Sequence, residues 1–193
     1  NDTVCGAITL TVGGPQDCQN TTTATSAGDP TLPGGCSSPN NTVWYKYTPA
    51  TNGTVAVRME IPGTSTSPLN GWVSWYTATG TCPSPPGLTL TALAGSACQE
   101  FGQTGAGDID TLTSPALTGG TTYYIMIDGF SGDAGDFCIS LVPPPAPPAC
   151  TTNLLPANGA TGVVISPAPA ISWNPAANAT SYDVYFGTIN PPT

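Results

Sequence analysis

Short runs in which apolar and polar residues alternate are the feature that most limits how this chain can fold. In residues 55–61, valine, valine, methionine and isoleucine take every second position, and residues 123–128 and 137–141 alternate in a similar way. A period of two residues places successive side chains on opposite faces of a β-strand. No segment has a clear helical period. The pattern therefore predicts an all-β fold of half-buried antiparallel strands.

Turn-forming residues divide the first three quarters of the chain into many short strands. Gly, Pro and Asn lie between the apolar runs, and such spacing is typical of two packed sheets. We therefore predict a jelly-roll-like β-sandwich domain over residues 1–142. The candidate strands are 7–12, 21–26, 43–48, 53–61, 71–77, 88–93, 111–117, 121–128 and 136–142.

The charge of the chain argues against two classes of partner. Lys46 and Arg58 are its only basic residues, against eleven acidic ones, and the net charge is −9. Nucleic acids and anionic membranes bind basic patches, so we expect no nucleic-acid partner and no electrostatic membrane binding. No apolar run approaches the roughly 20 residues that cross a bilayer, so we expect no membrane insertion. The chain starts abruptly at Asn1, and we expect it to be a mature form or a segment of a longer protein.

The seven cysteines indicate the compartment in which the chain works. None forms a Cys-x-x-Cys pair, and the chain has no histidine to complete a zinc site. A reactive thiol would need a nearby base or cation, of which the chain has almost none. Scattered cysteines in such a composition favour disulfides and an oxidising environment. We therefore expect a secreted protein.

Composition also argues against catalysis. Without histidine, neither a Ser-His nor a Cys-His pair can form, and no Gly-x-Ser-x-Gly elbow is present. Lys46 is the only lysine that could activate a serine, and it lies between aromatic residues on a predicted strand. Carboxylate pairs such as Asp108 with Asp110 or Glu60 with Glu100 have no spacing that indicates glycoside hydrolysis. We therefore expect no enzymatic activity.

A proline-rich run separates two β patterns. Residues 143–148 read Pro-Pro-Pro-Ala-Pro-Pro, which is typical of a semi-rigid polyproline II linker. Recognition of the run by a partner is the alternative interpretation. After it, residues 149–193 form a second β pattern with candidate strands at 162–166, 170–173 and 182–186.

This second pattern resembles the first half of a fibronectin type III domain from the type IX-secreted surface proteins of gliding and related bacteria. The resemblance rests on residues 155–163 (LPANGATGV), 171–175 (ISWNP) and 181–188 (SYDVYFGT). It implies that Trp173 is the buried tryptophan of the early strands and that Tyr182 and Tyr185 belong to the next strand. It also implies a partial domain, because an immunoglobulin-like sandwich of this family has seven strands and this chain supplies roughly three. A fragment of 45 residues buries too little apolar surface to stand alone.

The first domain is similar to the same group of surface proteins. Asn1-Asp2 with Cys5 and Ala7, VWYKY at 43–47, GTC at 80–82, GGTTYYIMIDG at 119–129 and GDFC at 135–138 recur there in this order. The last two segments also resemble the bacterial pre-peptidase C-terminal domain, a non-catalytic sandwich attached to secreted enzymes. Both resemblances imply an extracellular, cell-surface location.

The resemblance also guides the assignment of the disulfides. It implies that Cys150 has its partner outside this chain, which leaves three bridges for the first domain. We favour Cys82–Cys98 because it closes a local strand-loop-strand segment. The remaining cysteines allow three pairings, which stay open: Cys5, Cys18, Cys36 and Cys138.

Acidic residues offer a candidate calcium site. Asp128, Asp133 and Asp136 lie in or beside the Gly-rich loop between the last two strands of the first domain. Calcium binds six to eight oxygens, which flexible loops supply. The resemblance to the pre-peptidase family adds that some members bind calcium near the start of the domain. The alternative interpretation is that Asp beside Gly forms turns without a metal.

Aromatic residues and glycosylation motifs complete the candidate sites. Trp72, Trp75 and Tyr76 share one predicted strand, so we expect at least one ring to face outward and bind a sugar or a neighbouring protomer. Asn20, Asn40 and Asn52 begin Asn-x-Ser/Thr motifs. The resemblance implies a further type of glycosylation at Asp-Thr-apolar sites, which here are centred on Thr3 and Thr111.

Together these features predict a non-catalytic structural or adhesive surface protein. The chain would be a segment of a multi-domain fibre or adhesin that self-assembles through its incomplete second domain. The alternative is an accessory module that binds glycan or protein for a secreted enzyme. The expected partners are other copies of the chain, other surface proteins and glycans, and calcium is the only expected cofactor.

Overall fold

The computed structural model describes residues 1–27, 29, 39–82, 88–95, 98–102, 104–144, 146, 148–164 and 170–185. The chain divides into two compact units, residues 1–144 and 145–193. Twelve strands and two short 3-10 helices, Val4–Gly6 and Phe130–Gly132, lie in the described residues. The predicted all-β class is therefore confirmed. No helix in the described part of the chain is long and apolar enough to cross a membrane.

The first unit contains two sheets. The strands of sheet A are β1 (Ile8–Thr9), β3 (Val43–Tyr47), β5 (Gly71–Gly80), β6 (Leu88–Ala92), β7 (Gln99–Phe101) and β9 (Tyr123–Gly129). Those of sheet B are β2 (Asp17–Asn20), β4 (Ala56–Glu60), β8 (Ile109–Thr113) and β10 (Asp136–Val142). In sheet A the strand order is β1-β3-β9-β5-β6, and β7 also pairs with β5; β1 and β3 are parallel, and all other pairs are antiparallel. In sheet B the order is β2-β10-β4-β8, with all pairs antiparallel.

The main core draws its side chains from both sheets. Tyr45 and Trp75 of sheet A are buried in one apolar cluster with Met59 and Phe137 of sheet B. The rings of Tyr45 and Phe137 meet edge to face, with centroids 6.4 Å apart. The period of two explains the packing, because every second residue of each strand points between the sheets. The predicted sandwich of two sheets is thus confirmed.

A second, smaller core covers the opposite face of sheet A, which we call the outer face. Trp44, Tyr76 and Met126 are buried there with Ala7 of the N-terminal segment. The rings of Trp44 and Tyr76 lie 5.6 Å apart. The backbone of the N-terminal segment is held against β3, since the Trp44 N–H donates to the Asn1 carbonyl oxygen at 2.8 Å. Strands β3, β5 and β9 are consequently buried on both faces and not half-buried as predicted.

Some predicted strand limits were wrong. The strand predicted at 21–26 lies at Asp17–Asn20, because the chain turns after Asn20. Thr21 is buried in that turn, and its N–H donates to the Gly135 carbonyl oxygen at 2.9 Å. Turn chemistry therefore determines where the strand ends, and apolar alternation alone does not show it.

Two disulfides that join described cysteines brace the first unit. Cys5 is bonded to Cys82, which joins the N-terminal segment to the end of β5, and Cys18 is bonded to Cys138, its directly paired residue on the neighbouring strand. Cys98 is also disulfide-bonded. Bridges of this kind persist outside the reducing cytoplasm, so the chain is an extracellular protein. Cys36 lies outside the described residues.

The favoured Cys82–Cys98 pairing was wrong, because the two cysteines lie at opposite ends of β5. Cys82 follows the last residue of this strand, whereas Cys98 precedes Gln99, which pairs with Val73 near the start of the strand. At about 3.3 Å per residue the separation far exceeds the roughly 4–7 Å between Cα atoms that a disulfide allows. Of the pairings left open for the other four cysteines, the bridge between Cys18 and Cys138 is confirmed, whereas Cys5 is bonded to Cys82 and to none of those four.

The second unit has one small antiparallel sheet in its described residues. β11 (Thr152–Leu155) pairs with β12 (Ser172–Asn174), with Thr152 opposite Asn174 and Leu155 opposite Ser172. β12 lies close to the strand predicted at 170–173, but β11 was missed. Residues 162–164 and 182–185 are described and form no strand, so the strands predicted there were wrong over these positions.

Candidate functional site

The three aromatic residues predicted to bind a ligand are all buried. The exposed fractions are 5% for Trp72, 0% for Trp75 and 1% for Tyr76. Trp75 points into the main core, and Tyr76 belongs to the smaller core on the outer face. The prediction that this strand presents a ring to solvent was therefore wrong. A strand with partners on both edges and cores on both faces leaves no side free for a ligand.

The three predicted calcium ligands do not form one site. Asp128 ends β9 and accepts a hydrogen bond from the Asn40 N–H at 2.8 Å, whereas Asp133 accepts one from the Asn70 N–H at 2.7 Å. Asp136 opens β10 and accepts hydrogen bonds from the side chains of Asn20 and Ser65 at 2.7 and 2.8 Å. In the described ranges no three His, Cys, Asp or Glu side chains come together as a metal-binding group. Each aspartate instead fixes a separate piece of loop, which is the turn-forming alternative.

The most exposed apolar surface lies in the second unit. Eight residues in or next to β11 and β12 and in the segment after β12 line a shallow groove of about 250 Å³. Exposed fractions of 67% for Tyr185, 57% for Val184 and 54% for Ile171 are high for such large side chains. We call this surface the apolar groove; its apolar lining residues are Leu154, Ile171, Trp173, Tyr182, Val184 and Tyr185.

Aromatic packing and one hydrogen bond shape the apolar groove. The ring of Tyr182 packs against Trp173, with centroids 5.5 Å apart. The Tyr182 hydroxyl oxygen accepts a hydrogen bond from the Ala176 N–H at 2.6 Å. The ring contact places Tyr182 beside β12, and the hydrogen bond links two residues of the segment after that strand. Trp173, which the resemblance implied to be buried, is thus only half-buried in this groove.

Apolar side chains dominate the lining of the apolar groove. Asp183 and Thr151 are its polar lining residues among those described. Exposed aromatic and aliphatic side chains release free energy when another apolar surface covers them.

A second group of interest consists of carboxylates near the outer face of sheet A. Asp128 is fully buried, and its Oδ2 has no hydrogen-bond partner among the described residues. Burial, with a smaller contribution from the nearby charge of Asp29, raises the pKa of Asp128 to about 6 against the lowering effect of N–H donors from Asn40 and Gly129. Burial likewise raises the pKa of Asp29, which accepts hydrogen bonds from Thr42 and Trp44. Sequence reasoning missed Asp29, since nothing in the local pattern shows where a loop carboxylate will point.

The candidate glycosylation sites differ in exposure. Thr3, Asn20, Asn52 and Thr111 are exposed. Asn40 is only half-buried, but Thr42, the third residue of its motif, is fully buried. Folded protein therefore presents the Asn20 and Asn52 motifs more openly than the Asn40 motif.

Comparison with known proteins adds a distant likeness. No known family profile and no curated protein matches this chain. Among solved structures, the pre-peptidase C-terminal domain of a collagenase from Bacillus anthracis is similar at 9% identity and a TM-score of 0.34. The match covers 73% of this chain and 99% of that domain. A likeness of this degree assigns neither a family nor an activity.

Proposed function

We propose that this chain is a non-catalytic structural or adhesive module of a multi-domain surface fibre or adhesin, and that it assembles through the apolar groove. The single observation that carries the proposal is the exposure of Ile171, Val184 and Tyr185 beside a two-stranded sheet. Two strands alone are marginally stable in water, so an uncovered apolar face favours association. The occupant that we propose is the same groove of a second copy.

The charge distribution supports association between copies. Asp183 is the one charged residue that lines the groove among the described residues, although the whole chain carries a net charge of −9. Two copies that meet groove to groove therefore bring few like charges together. Tyr and Trp are also the side chains that most often anchor protein interfaces, and the groove contains Trp173, Tyr182 and Tyr185.

The composition supports a role without catalysis. The chain has no histidine and only two basic residues. One of them, Arg58, is engaged by Glu60 at 2.6 Å. With so few groups that could move a proton at neutral pH, the chain is better suited to holding and binding than to acid-base chemistry.

Substitution within the groove is expected to weaken self-association. We predict that Val184→Ser with Tyr185→Ser raises the dissociation constant at least about tenfold, since two exposed apolar anchors are lost. Sedimentation equilibrium measures this constant, in a Cys150→Ser background that prevents intermolecular disulfides through the exposed free thiol.

The matched control for this experiment is Ile109→Ser. Ile109 is 52% exposed but lies on β8 in the first unit, so its replacement should leave association unchanged. The proposal fails if the Cys150→Ser chain remains monomeric at several hundred micromolar, or if Ile109→Ser weakens association as much as the groove variant.

Glycan binding is a second candidate function for the same groove. Tyr185 is exposed, and Trp173 and Tyr182 lie together at 5.5 Å, so rings that could pack on a sugar adjoin the Asp183 carboxylate and the Thr151 hydroxyl. A glycan array with the Cys150→Ser chain separates the two candidates. Binding that Tyr185→Ser abolishes would favour an accessory module of a secreted enzyme, and a blank array would remove this candidate.

We extend the proposal to the origin of the second unit. The β11–β12 pair, with Trp173 on its second strand, supports the proposal that the second unit is the early part of a fibronectin type III domain. We further propose export by a type IX system, attachment to the cell surface and glycosylation at Thr3, Asn20, Asn52 or Thr111, all of which are exposed. Intact-mass analysis of protein from its native source tests the last point, and an unmodified mass would exclude it.

A further inference from the structure

Three carboxylates, those of Asp2, Asp29 and Asp128, hold parts of the described connection between β2 and β3. This connection comprises residues 21–42, of which 21–27, 29 and 39–42 are described. Near its start, Asp2 accepts hydrogen bonds from the N–H and the hydroxyl of Thr25. Near its end, Asp29 accepts from the Thr42 hydroxyl and from Trp44 Nε1, the latter at 2.9 Å.

Asp128 supplies the third attachment. It extends from β9 of sheet A, and its Oδ1 accepts the Asn40 N–H at 2.8 Å. The carboxylate is completely buried, and its other oxygen has no hydrogen-bond partner among the described residues. A buried carboxylate with one unpaired oxygen is costly when ionised and less costly when protonated.

The groups around Asp128 add no compensating positive charge. Asp29 is close enough to raise the pKa of Asp128, and Asp2 in turn raises the pKa of Asp29. The Tyr76 hydroxyl also lies near both aspartates, whose charges together with burial raise its own pKa. Of the two bases in the chain, Arg58 is paired in sheet B and Lys46 lies on β3, two positions beyond Trp44.

We propose that Asp29 and Asp128 form a pH-sensitive latch, which holds the described residues 39–42 before β3 more firmly in mildly acidic than in alkaline surroundings. When the buried pair takes up a proton, the repulsion between the two carboxylates falls. The Asn40 and Trp44 donors still keep an acceptor oxygen each. The first unit is therefore a module whose stability rises as the surroundings acidify.

The direction of the pH effect on stability, and the pH range in which it acts, follow from the pKa of Asp128 in the folded and in the unfolded chain. The folded pKa of Asp128 is about 6, above the ordinary value of 3.8, so folded protein binds the proton more tightly. The stabilisation that comes from protonated Asp128 is complete when the pH is below the ordinary pKa of 3.8, and it is lost as the pH rises through about 6. Between pH 7.5 and pH 5 the folding equilibrium constant should rise about tenfold from Asp128 alone. Asp2, Glu60 and Asp136 have lowered pKa values and act in the opposite direction, but only at lower pH.

Urea unfolding of the whole chain at pH 7.5 and pH 5 tests the latch. We expect the free energy of unfolding of the wild-type chain to be larger at pH 5 than at pH 7.5. We expect Asp128→Asn to be more stable than the wild-type chain at pH 7.5 and to lose most of the difference in stability between the two pH values. Asp136→Asn is the matched control, because a carboxylate with a lowered pKa should leave that difference unchanged. Equal stability of the wild-type chain at the two pH values, or an unchanged difference in Asp128→Asn, would overturn the proposal.

A direct titration keeps the test informative if Asp128→Asn fails to fold. The carboxyl carbon resonances of the wild-type aspartates can be followed by NMR between pH 3 and pH 8. We expect one aspartate to titrate near pH 6, with a parallel rise in the protection of the Asn40 amide against exchange as the pH falls. If every aspartate titrates below about 4.5, close to its ordinary value, the latch does not exist.

Discussion

Replacing Cys18 and Cys138 together with alanine is expected to lower the free energy of unfolding by roughly 4–5 kcal/mol. The bridge closes a segment with a sequence separation of 120 residues, and loop-closure entropy in the unfolded chain grows with the length of that segment. It also joins directly paired residues of β2 and β10, the strands that carry one edge of sheet B. Urea unfolding of the double variant, compared with the intact chain under non-reducing conditions, measures the loss.

The remaining free thiol provides the control for this prediction. Cys150 is exposed and unbonded, so Cys150→Ser should change the free energy of unfolding by no more than about 0.5 kcal/mol. A loss below about 1 kcal/mol in the double variant would mean that the hydrogen bonds of β2 and β10 hold this edge without the cross-link.

Truncation of Trp75 is expected to lower the free energy of unfolding by nearly as much as removal of the Cys18–Cys138 bridge. Trp75→Ala removes a fully buried indole from the main core, and large-to-small changes at such positions cost about 3–5 kcal/mol. The ring packs in the cluster that joins the two sheets, so the cavity lies where the sandwich is held together. Urea unfolding followed by circular dichroism measures the effect.

A surface aromatic residue is the control for Trp75. Tyr185 is 67% exposed, so Tyr185→Ala should leave the stability of the first unit within about 0.5 kcal/mol of the wild-type value. If Trp75→Ala retained full stability, the placement of β5 between two cores would be wrong, and a binding role for this strand would have to be reconsidered.

The sequence was informative wherever one face of a strand meets the main core. The alternation at 55–61 and 137–141 predicts β4 and β10, and Met59 and Ile139 do face one another across the pair. It predicts burial on only one face, however. The outer core formed by Trp44, Tyr76 and Met126 depends on coverage by the N-terminal segment, which periodicity within a strand cannot reveal. The expected exposed ring on β5 failed for this reason.

Long-range connections were harder to predict than strands. The pairing of Cys5 with Cys82 depends on where the N-terminal segment crosses sheet A, and nearness in sequence favoured the wrong partner. The acidic loop failed as a calcium set in a similar way. Asp128 and Asp136 are close in sequence, but they hold Asn40 and Asn20 in different places.

The apolar groove was not predicted from the sequence. The resemblance in residues 155–163, 171–175 and 181–188 implied a domain with missing strands, which stays a prediction. Which side chains form the groove could not be read from the sequence, because β11 was missed and the contact between Tyr182 and Trp173 joins residues outside any common strand.

Hydrogen-exchange mass spectrometry of the Cys150→Ser chain at low micromolar and at several hundred micromolar concentration tests the central claim most directly. If the module assembles through the second unit, exchange at the higher concentration should slow in peptides that cover 152–155, 171–174 and 182–185, and remain unchanged in β4 and β10. Slower exchange confined to the first unit, or no change at any concentration, would contradict assembly through the apolar groove.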